Sequence, residues 1–187
     1  ALTRIFECSD LFFLNRMCGV TEKDAPTTYF ETWRTRLQSV RRPESFPLSH
    51  LLIAHKLAPR LPPNSNLHFG ILNSLRAWEL FTLDPTIRCY ANVAGFGIDG
   101  CLSTFVGHSV ASDALSFLVI GDLSFFYDMN AIGIRHLKNN VRILLVNNCG
   151  GAEFRLETNT ANQFGDATNR YIAASGHFGQ SAEGWAR

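Results

Sequence analysis

Two apolar runs, residues 116–120 (SFLVI) and 141–146 (VRILLV), constrain this chain more than any other feature. Continuous apolarity, rather than alternation, marks a strand buried on both faces. Such strands belong to parallel sheets with helices on either side. Parallel neighbours cannot be joined by a tight turn, so the intervening residues must carry a crossover, usually a helix. Residues 87–91 and 66–70 read as two further short strands. The predicted fold is therefore α/β, a parallel sheet flanked by helices on both faces.

The helices that cover such a sheet can be placed by spacing and by breakers. In residues 28–42, Tyr29, Phe30, Trp33, Leu37 and Val40 share one face, while Arg34, Arg36, Arg41 and Arg42 form a solvated opposite side. Pro43 and Pro47 end that helix, and Ser49-His50 begins another that closes at Pro59. Asn73-Ser74 opens a short helix through Trp78, and a further helix is predicted over residues 100–110. The segment after Gly121-Asp122 is expected to be helical, with Met129, Ile132, His136 and Leu137 on its face. Residues 155–187 are polar and weakly periodic, a loop region with at most one helix. Residues 1–45 read as a linker or the end of a preceding domain. Residues 46–187 read as the α/β domain, truncated at its C-terminus. The chain begins at Ala1 without Met and ends after a Gly-rich stretch, so a piece of a longer protein is expected.

Seventeen basic and sixteen acidic residues leave a net charge of +1, which gives no electrostatic footprint for nucleic acid. No apolar stretch approaches the length of a membrane span. Five cysteines, Cys8, Cys18, Cys89, Cys101 and Cys149, are odd in number and contain no CxxC pair. They read as reduced thiols, which implies a cytoplasmic protein. No leader pattern opens the chain.

In open parallel sheets, ligands sit beyond the carboxyl ends of the strands. Three polar turns fall there: residues 95–100 (GFGIDG), 121–124 (GDLS) and 147–151 (NNCGG). Asp122 and Asn148 are 26 residues apart, one strand-helix-strand crossover. A carboxylate, an amide oxygen and a nearby carbonyl are hard ligands suited to Mg²⁺ or Ca²⁺, and Mg²⁺ commonly shares its shell with phosphate oxygens. Backbone N–H groups from Gly121 to Ser124 could meet those phosphates. The pattern points to a metal-bridged diphosphate site.

Gly-Asp, about 25 residues, then Asn-Asn resembles the diphosphate-binding domain of the thiamine-diphosphate-dependent enzymes. Asn73-Ser74-Leu75, Gly97-Ile98-Asp99-Gly100, Leu102-Ser103-Thr104, Tyr127-Asp128-Met129-Asn130 and Asn147-Asn148-Cys149-Gly150-Gly151 look most like the branch of 2-succinyl-5-enolpyruvyl-6-hydroxy-3-cyclohexene-1-carboxylate synthases of menaquinone biosynthesis. The likeness runs from about residue 60 to 155 and continues weakly to the end. It implies a transferase that decarboxylates a 2-oxoacid and passes the carbanion to an acceptor, with thiamine diphosphate and Mg²⁺ as cofactors. It implies Mg²⁺ held by the side chains of Asp122 and Asn148 and the carbonyl of Gly150. Gly121, Leu123 and Ser124 would contact the cofactor diphosphate, and Phe154 would lie near the thiazolium ring. Ser74 matches a substrate-side serine, and Arg76 stands two residues beyond it. The activating glutamate of this family lies in a separate pyrimidine-binding domain, of the same or a second subunit. The chain alone is thus expected to hold half a site, to have no catalytic residue of its own, and to work in a homo-oligomer.

Three positions depart from the branch. Val93 and Trp78 stand where the synthases carry substrate-binding arginines, and Glu153 stands where an apolar residue is usual. Two other readings compete. Gly95-x-Gly97-x-x-Gly100, with Asp122 22 residues on, matches a Rossmann NAD-binding fingerprint. A degenerate, non-catalytic cofactor-binding module would also tolerate Val93 and Glu153. His50 and His55 have no third metal ligand nearby and read as structural. His177 could face a substrate, and Cys149 reads as a packed thiol.

Overall fold

The computed structural model describes residues 5–19, 28–40, 45–93, 95, 97–174 and 183–186. The chain divides into two units, Ala1–Pro43 and Glu44–Arg187. The first contains α1 (Asp10–Cys18) and α2 (Thr28–Ser39). Ser9 caps α1, its hydroxyl accepting from the Phe12 N–H at 3.3 Å. The aromatic face predicted for the second helix is present, but Tyr29, Phe30, Trp33 and Leu37 are all exposed.

The second unit is built on four parallel strands: β1 (Asn66–Phe69), β2 (Arg88–Ala91), β3 (Ser116–Gly121) and β4 (Val141–Val146). Their spatial order is β2-β1-β3-β4, with Phe69 opposite both Ala91 and Val119, and Gly121 opposite Val146. The strand pleat divides the core in two. Leu67, Phe69 and Val119 face α3 (His50–Leu57) and α4 (Asn73–Trp78), where Ala54, Ala77 and Trp78 complete one cluster. Leu118 and Ile120 face α5 (Cys101–Ala111) and α6 (Asp122–Tyr127), where Leu102, Phe105, Val106 and Phe125 complete the other. The central strands β1 and β3 are covered on both faces, whereas the edge strand β2 is exposed along its length and β4, at the other edge, is half-buried.

The strand order explains why the helices divide this way. The chain leaves β1 toward β2, then returns across β1 to β3 and on to β4. Crossovers of one hand running in opposite directions place their helices on opposite faces. The direction reverses between β1 and β3, which creates a crevice at their carboxyl ends. At the other end of the sheet, Asn140 Nδ2 lies 3.0–3.2 Å from the carbonyls of Ser109, Ser112 and Ala114. Asn66 Nδ2 donates there to the hydroxyls of Ser112 and Ser116. These buried polar groups tie strands and helix ends together and serve stability.

One predicted element is different. The helix after Asp122 stops at Tyr127, and a 3₁₀ segment, Met129–Gly133, follows it. Asp128 leaves helical geometry because its Oδ2 accepts from the Ser103 N–H on α5 at 2.8 Å. Met129, Ile132 and Leu137 still pack against the second cluster, so their apolar spacing reflected burial rather than one continuous helix; His136 is exposed. Beyond β4 the chain forms short 3₁₀ and π turns at Ala152–Arg155, Thr160–Phe164 and Thr168–Ile172, then one helical turn, α7 (Glu183–Ala186). Among the described residues, no helix is long and apolar enough to cross a membrane.

Candidate functional site

Asp122 follows β3 directly and is 1% exposed, in a region where a carboxylate needs partners. Its Oδ1 accepts from the Leu123 N–H at 2.9 Å, and its Oδ2 accepts from the Gly150 N–H at 3.0 Å. The carboxylate therefore joins the turn after β3 to the turn after β4. The end of the Asn148 amide stands 3.1 Å from Asp122 Oδ1 and 2.8 Å from the Gly150 carbonyl oxygen. The orientation that satisfies hydrogen bonding places the amide nitrogen inward, and only a cation among the oxygens would favour the opposite one. With nitrogen inward, the amide donates to both oxygens. With oxygen inward, three oxygens from Asp122, Asn148 and Gly150 face one another, an arrangement that repels itself unless a cation sits among them. The residues predicted to ligate a metal are thus the residues the fold brings together.

Three oxygens with one formal negative charge would leave much of an octahedral shell open if a cation sat among them. Such a site suits Mg²⁺ shared with an anionic ligand. Among the described residues no cluster of three His, Cys, Asp or Glu is present.

The backbone here is bent to serve this geometry. Cys149 has φ 64° and Gly150 φ 148°. The left-handed region costs a non-glycine residue about 1–2 kcal/mol, and Asn147 Oδ1 supports the bend by accepting from the Cys149 N–H at 3.3 Å. Leu72, just before α4, also has positive φ, 63°. Unusual backbone thus borders the candidate site on two sides. Gly151 is needed for a different reason: a Cβ there would stand 2.9 Å from the Phe154 ring.

The remaining candidates occupy neighbouring turns. Ser124 is buried, and its hydroxyl donates to the Ile98 carbonyl at 2.7 Å, fixing the glycine loop after β2 against α6. Ser74 is buried on α4, beyond β1. Arg76 is exposed on the same helix and pairs with Glu153, Nη1 to Oε2 at 2.7 Å. Glu153 is therefore turned to Arg76. Trp78 is 3% exposed and packs on Phe69, so it is a core residue, while Val93 is exposed.

His50 was not legible as a site residue. It opens α3 within electrostatic reach of Asp122; burial lowers its pKa, and the Asp122 charge opposes that shift. Its Nδ1 is buried, with no hydrogen-bond partner among the described residues. The only sequence signal was its place just after the Ser49 cap. His177 lies outside the described residues. The glycine loop of the Rossmann reading follows β2, an edge strand, whereas the reversal of strand order lies between β1 and β3. The fingerprint is thus displaced from where a dinucleotide site would form.

No protein-family model matches the chain. Curated relatives do. A protein of Bacteroides fragilis named 2-succinyl-5-enolpyruvyl-6-hydroxy-3-cyclohexene-1-carboxylate synthase is 36% identical over 186 residues, which is 100% of this chain and 32% of that protein. The protein of that name from Bacteroides thetaiotaomicron gives the same identity and coverage. The one from Christiangramia forsetii is 42% identical over 110 residues, 59% of this chain and 19% of its own length. The chain therefore spans about a third of the length of the Bacteroides relatives. Along its full length, the chain is homologous to the 2-succinyl-5-enolpyruvyl-6-hydroxy-3-cyclohexene-1-carboxylate synthases.

Proposed function

We propose that this chain is the thiamine-diphosphate- and Mg²⁺-binding portion of a transferase of menaquinone biosynthesis. The convergence of Asp122, Asn148 and the Gly150 carbonyl carries the reading. Asp122 and Asn148 would hold the metal through side chains and Gly150 through its carbonyl. Gly121, Leu123 and Ser124 would face the diphosphate, and Phe154 the thiazolium side. When bound, thiamine diphosphate supplies a nucleophilic carbon and an electron sink for decarboxylating a 2-oxoacid.

What the chain itself contributes is charge placement and rigidity. Asp122 accepts the Gly150 N–H, which holds the Gly150 carbonyl in place, and its carboxylate would put one negative charge beside a bound cation. Ser124 fixes the loop carrying Ile98 and leaves the strand ends aligned. Ser74 and Arg76 lie on the adjacent turn and would serve the substrate. A pyrimidine-binding domain, of the same or a second subunit, would complete the site. The isolated chain is expected to bind cofactor without turnover.

The test is a calorimetric titration of thiamine diphosphate with and without Mg²⁺, on wild type and Asp122→Ala. Magnesium-dependent heat that disappears in the variant is expected. Equal binding by a folded variant, or equal binding in chelator, would sink the reading. Measurable decarboxylation by the chain alone would refute the half-site.

A further inference from the structure

α3 is followed by a short connection, residues 58–65, and then by β1, so the helix runs back along the strand it precedes. Its eight residues rise about 12 Å, and the four of β1 about 13 Å. α3 also packs against α4, which begins beyond the carboxyl end of β1. The first turn of α3 therefore stands level with that strand end, beside the crevice where the strand order reverses. His50 is the first residue of this turn, and the Asp122 charge acts on its imidazole. The helix cap needs nothing from it, because the Ser49 hydroxyl accepts from the Leu52 N–H at 3.3 Å. The other histidine of α3, His55, packs against Phe46 and Phe81, with ring centroids at 5.4 and 5.7 Å. His50 differs: its Nδ1 is buried, with no hydrogen-bond partner among the described residues. An unpaired buried nitrogen is destabilising and calls for a partner from outside the chain.

We infer that His50 is a ligand-contacting residue, donating its Nδ1–H to a phosphate oxygen of the anion that shares the cation held at Asp122. A divalent cation beside one carboxylate keeps a net positive charge, and so draws anionic oxygens to its open positions. A neutral imidazole carries its one proton on either nitrogen, and the tautomer with Nδ1–H supplies the donor such an oxygen needs. α3 and α6 lie on opposite faces of the sheet. The anion would then be met from both walls of the crevice, by Leu123 and Ser124 on one side and His50 on the other. The inference rests on the reading of these strand ends as a cation and diphosphate site. It adds to that site a residue from a helix that precedes the sheet.

The probe is inorganic diphosphate with Mg²⁺, titrated to millimolar concentrations into the full chain. Calorimetry reads the affinity, and nitrogen-15 imidazole spectra read the His50 ring. In wild type the Nδ1–H proton is expected to move downfield and to exchange more slowly with water as the metal diphosphate binds. His50→Phe keeps a ring but no donor, and should weaken binding at least about ten-fold, the share of a hydrogen bond to a charged group. His50→Asn sets an amide nitrogen near the place of Nδ1 and should recover most of that loss, whereas His50→Gln should recover less. Mn²⁺ alone, followed by electron paramagnetic resonance, should bind wild type and His50→Phe alike. Weaker Mn²⁺ binding by His50→Phe overturns the proposal, since His50 would then only support the Asp122 turn. Unchanged metal-diphosphate affinity in a folded His50→Phe overturns it too, as does an Nδ1 signal that diphosphate leaves unmoved. Asp122→Ala separates the two readings. Binding lost in Asp122→Ala but kept in His50→Phe sinks this inference alone. Binding kept in Asp122→Ala, or absent from wild type, sinks the cation and diphosphate reading and this inference with it.

Discussion

Lowering the pH should destabilise this domain through one residue on the strand face opposite α4. His68 sits on β1 and is 6% exposed. Its Nε2 is 2.7 Å from His108 Nδ1, its ring stacks on Tyr90 at 4.7 Å, and Phe105 meets it edge-on at 5.3 Å. A hydrogen bond between two imidazoles needs one donor and one acceptor, which the neutral pair supplies. Burial first, and the neighbouring His108 second, push the His68 pKa down from 6.5 to about 4. A depressed histidine makes the unfolded chain the better proton acceptor. The stabilisation from keeping His68 neutral is thus complete above pH 6.5 and fades as the pH falls toward 4. The full gap corresponds to a ceiling of about 3 kcal/mol, of which about 2 kcal/mol is lost by pH 5. The half-buried edge at His108 admits some solvent screening, so a loss of about 1–2 kcal/mol is expected. Urea unfolding at pH 7.5 and 5.0 measures it, with His68→Gln as reference. His50 titrates in the same direction, and the comparison cancels it because both proteins retain it. If wild type and variant lose stability equally over that interval, or if imidazole spectra place the His68 pKa above 6, the reasoning fails.

Phe105 is fully buried in the cluster between α5 and the sheet, so Phe105→Ala should cost about 3–5 kcal/mol by chemical denaturation; a loss below about 1 kcal/mol would mean that α5 is not anchored there. Cys149→Gly relieves a left-handed side chain and should raise stability by up to about 1 kcal/mol, despite the extra freedom of the unfolded glycine. A lower unfolding midpoint in that variant would show that the thiol contributes more than the strain it imposes.

The fold was legible because its signals are local. The apolar runs at residues 116–120 and 141–146 form the two strands predicted for them, Ser49 and Asn73 mark helix starts within a residue of those found, and Pro59 stands two residues beyond the end of α3, in a 3₁₀ turn. The helix predicted after Asp122 misled because Met129, Ile132 and Leu137 are spaced as a helix face, whereas a long-range bond from Asp128 to the Ser103 N–H interrupts the backbone. The meeting of Asp122, Asn148 and Gly150 was legible for a related reason: one crossover between neighbouring parallel strands brings the turns after β3 and β4 together. His50 and the Arg76–Glu153 pair were not, since each depends on how α3, α4 and the segment after β4 pack in space. No spacing rule links residues 77 positions apart.

The register that aligns the ends of β1, β3 and β4 also shapes how such a site can diversify. Each turn brings its own chemical contribution: a hydroxyl and a guanidinium after β1, a carboxylate after β3, an amide and a carbonyl after β4. The turns share no residues, and the sheet beneath them is held by apolar packing and by the Asn66 and Asn140 contacts at its far end. Exchanging one turn leaves the apolar frame in place, but the Asp122–Gly150 and Arg76–Glu153 contacts tie the turns to one another. Variation at turn positions outside the two apolar clusters, such as Arg76 and Glu153, therefore leaves the core packing of the sheet untouched.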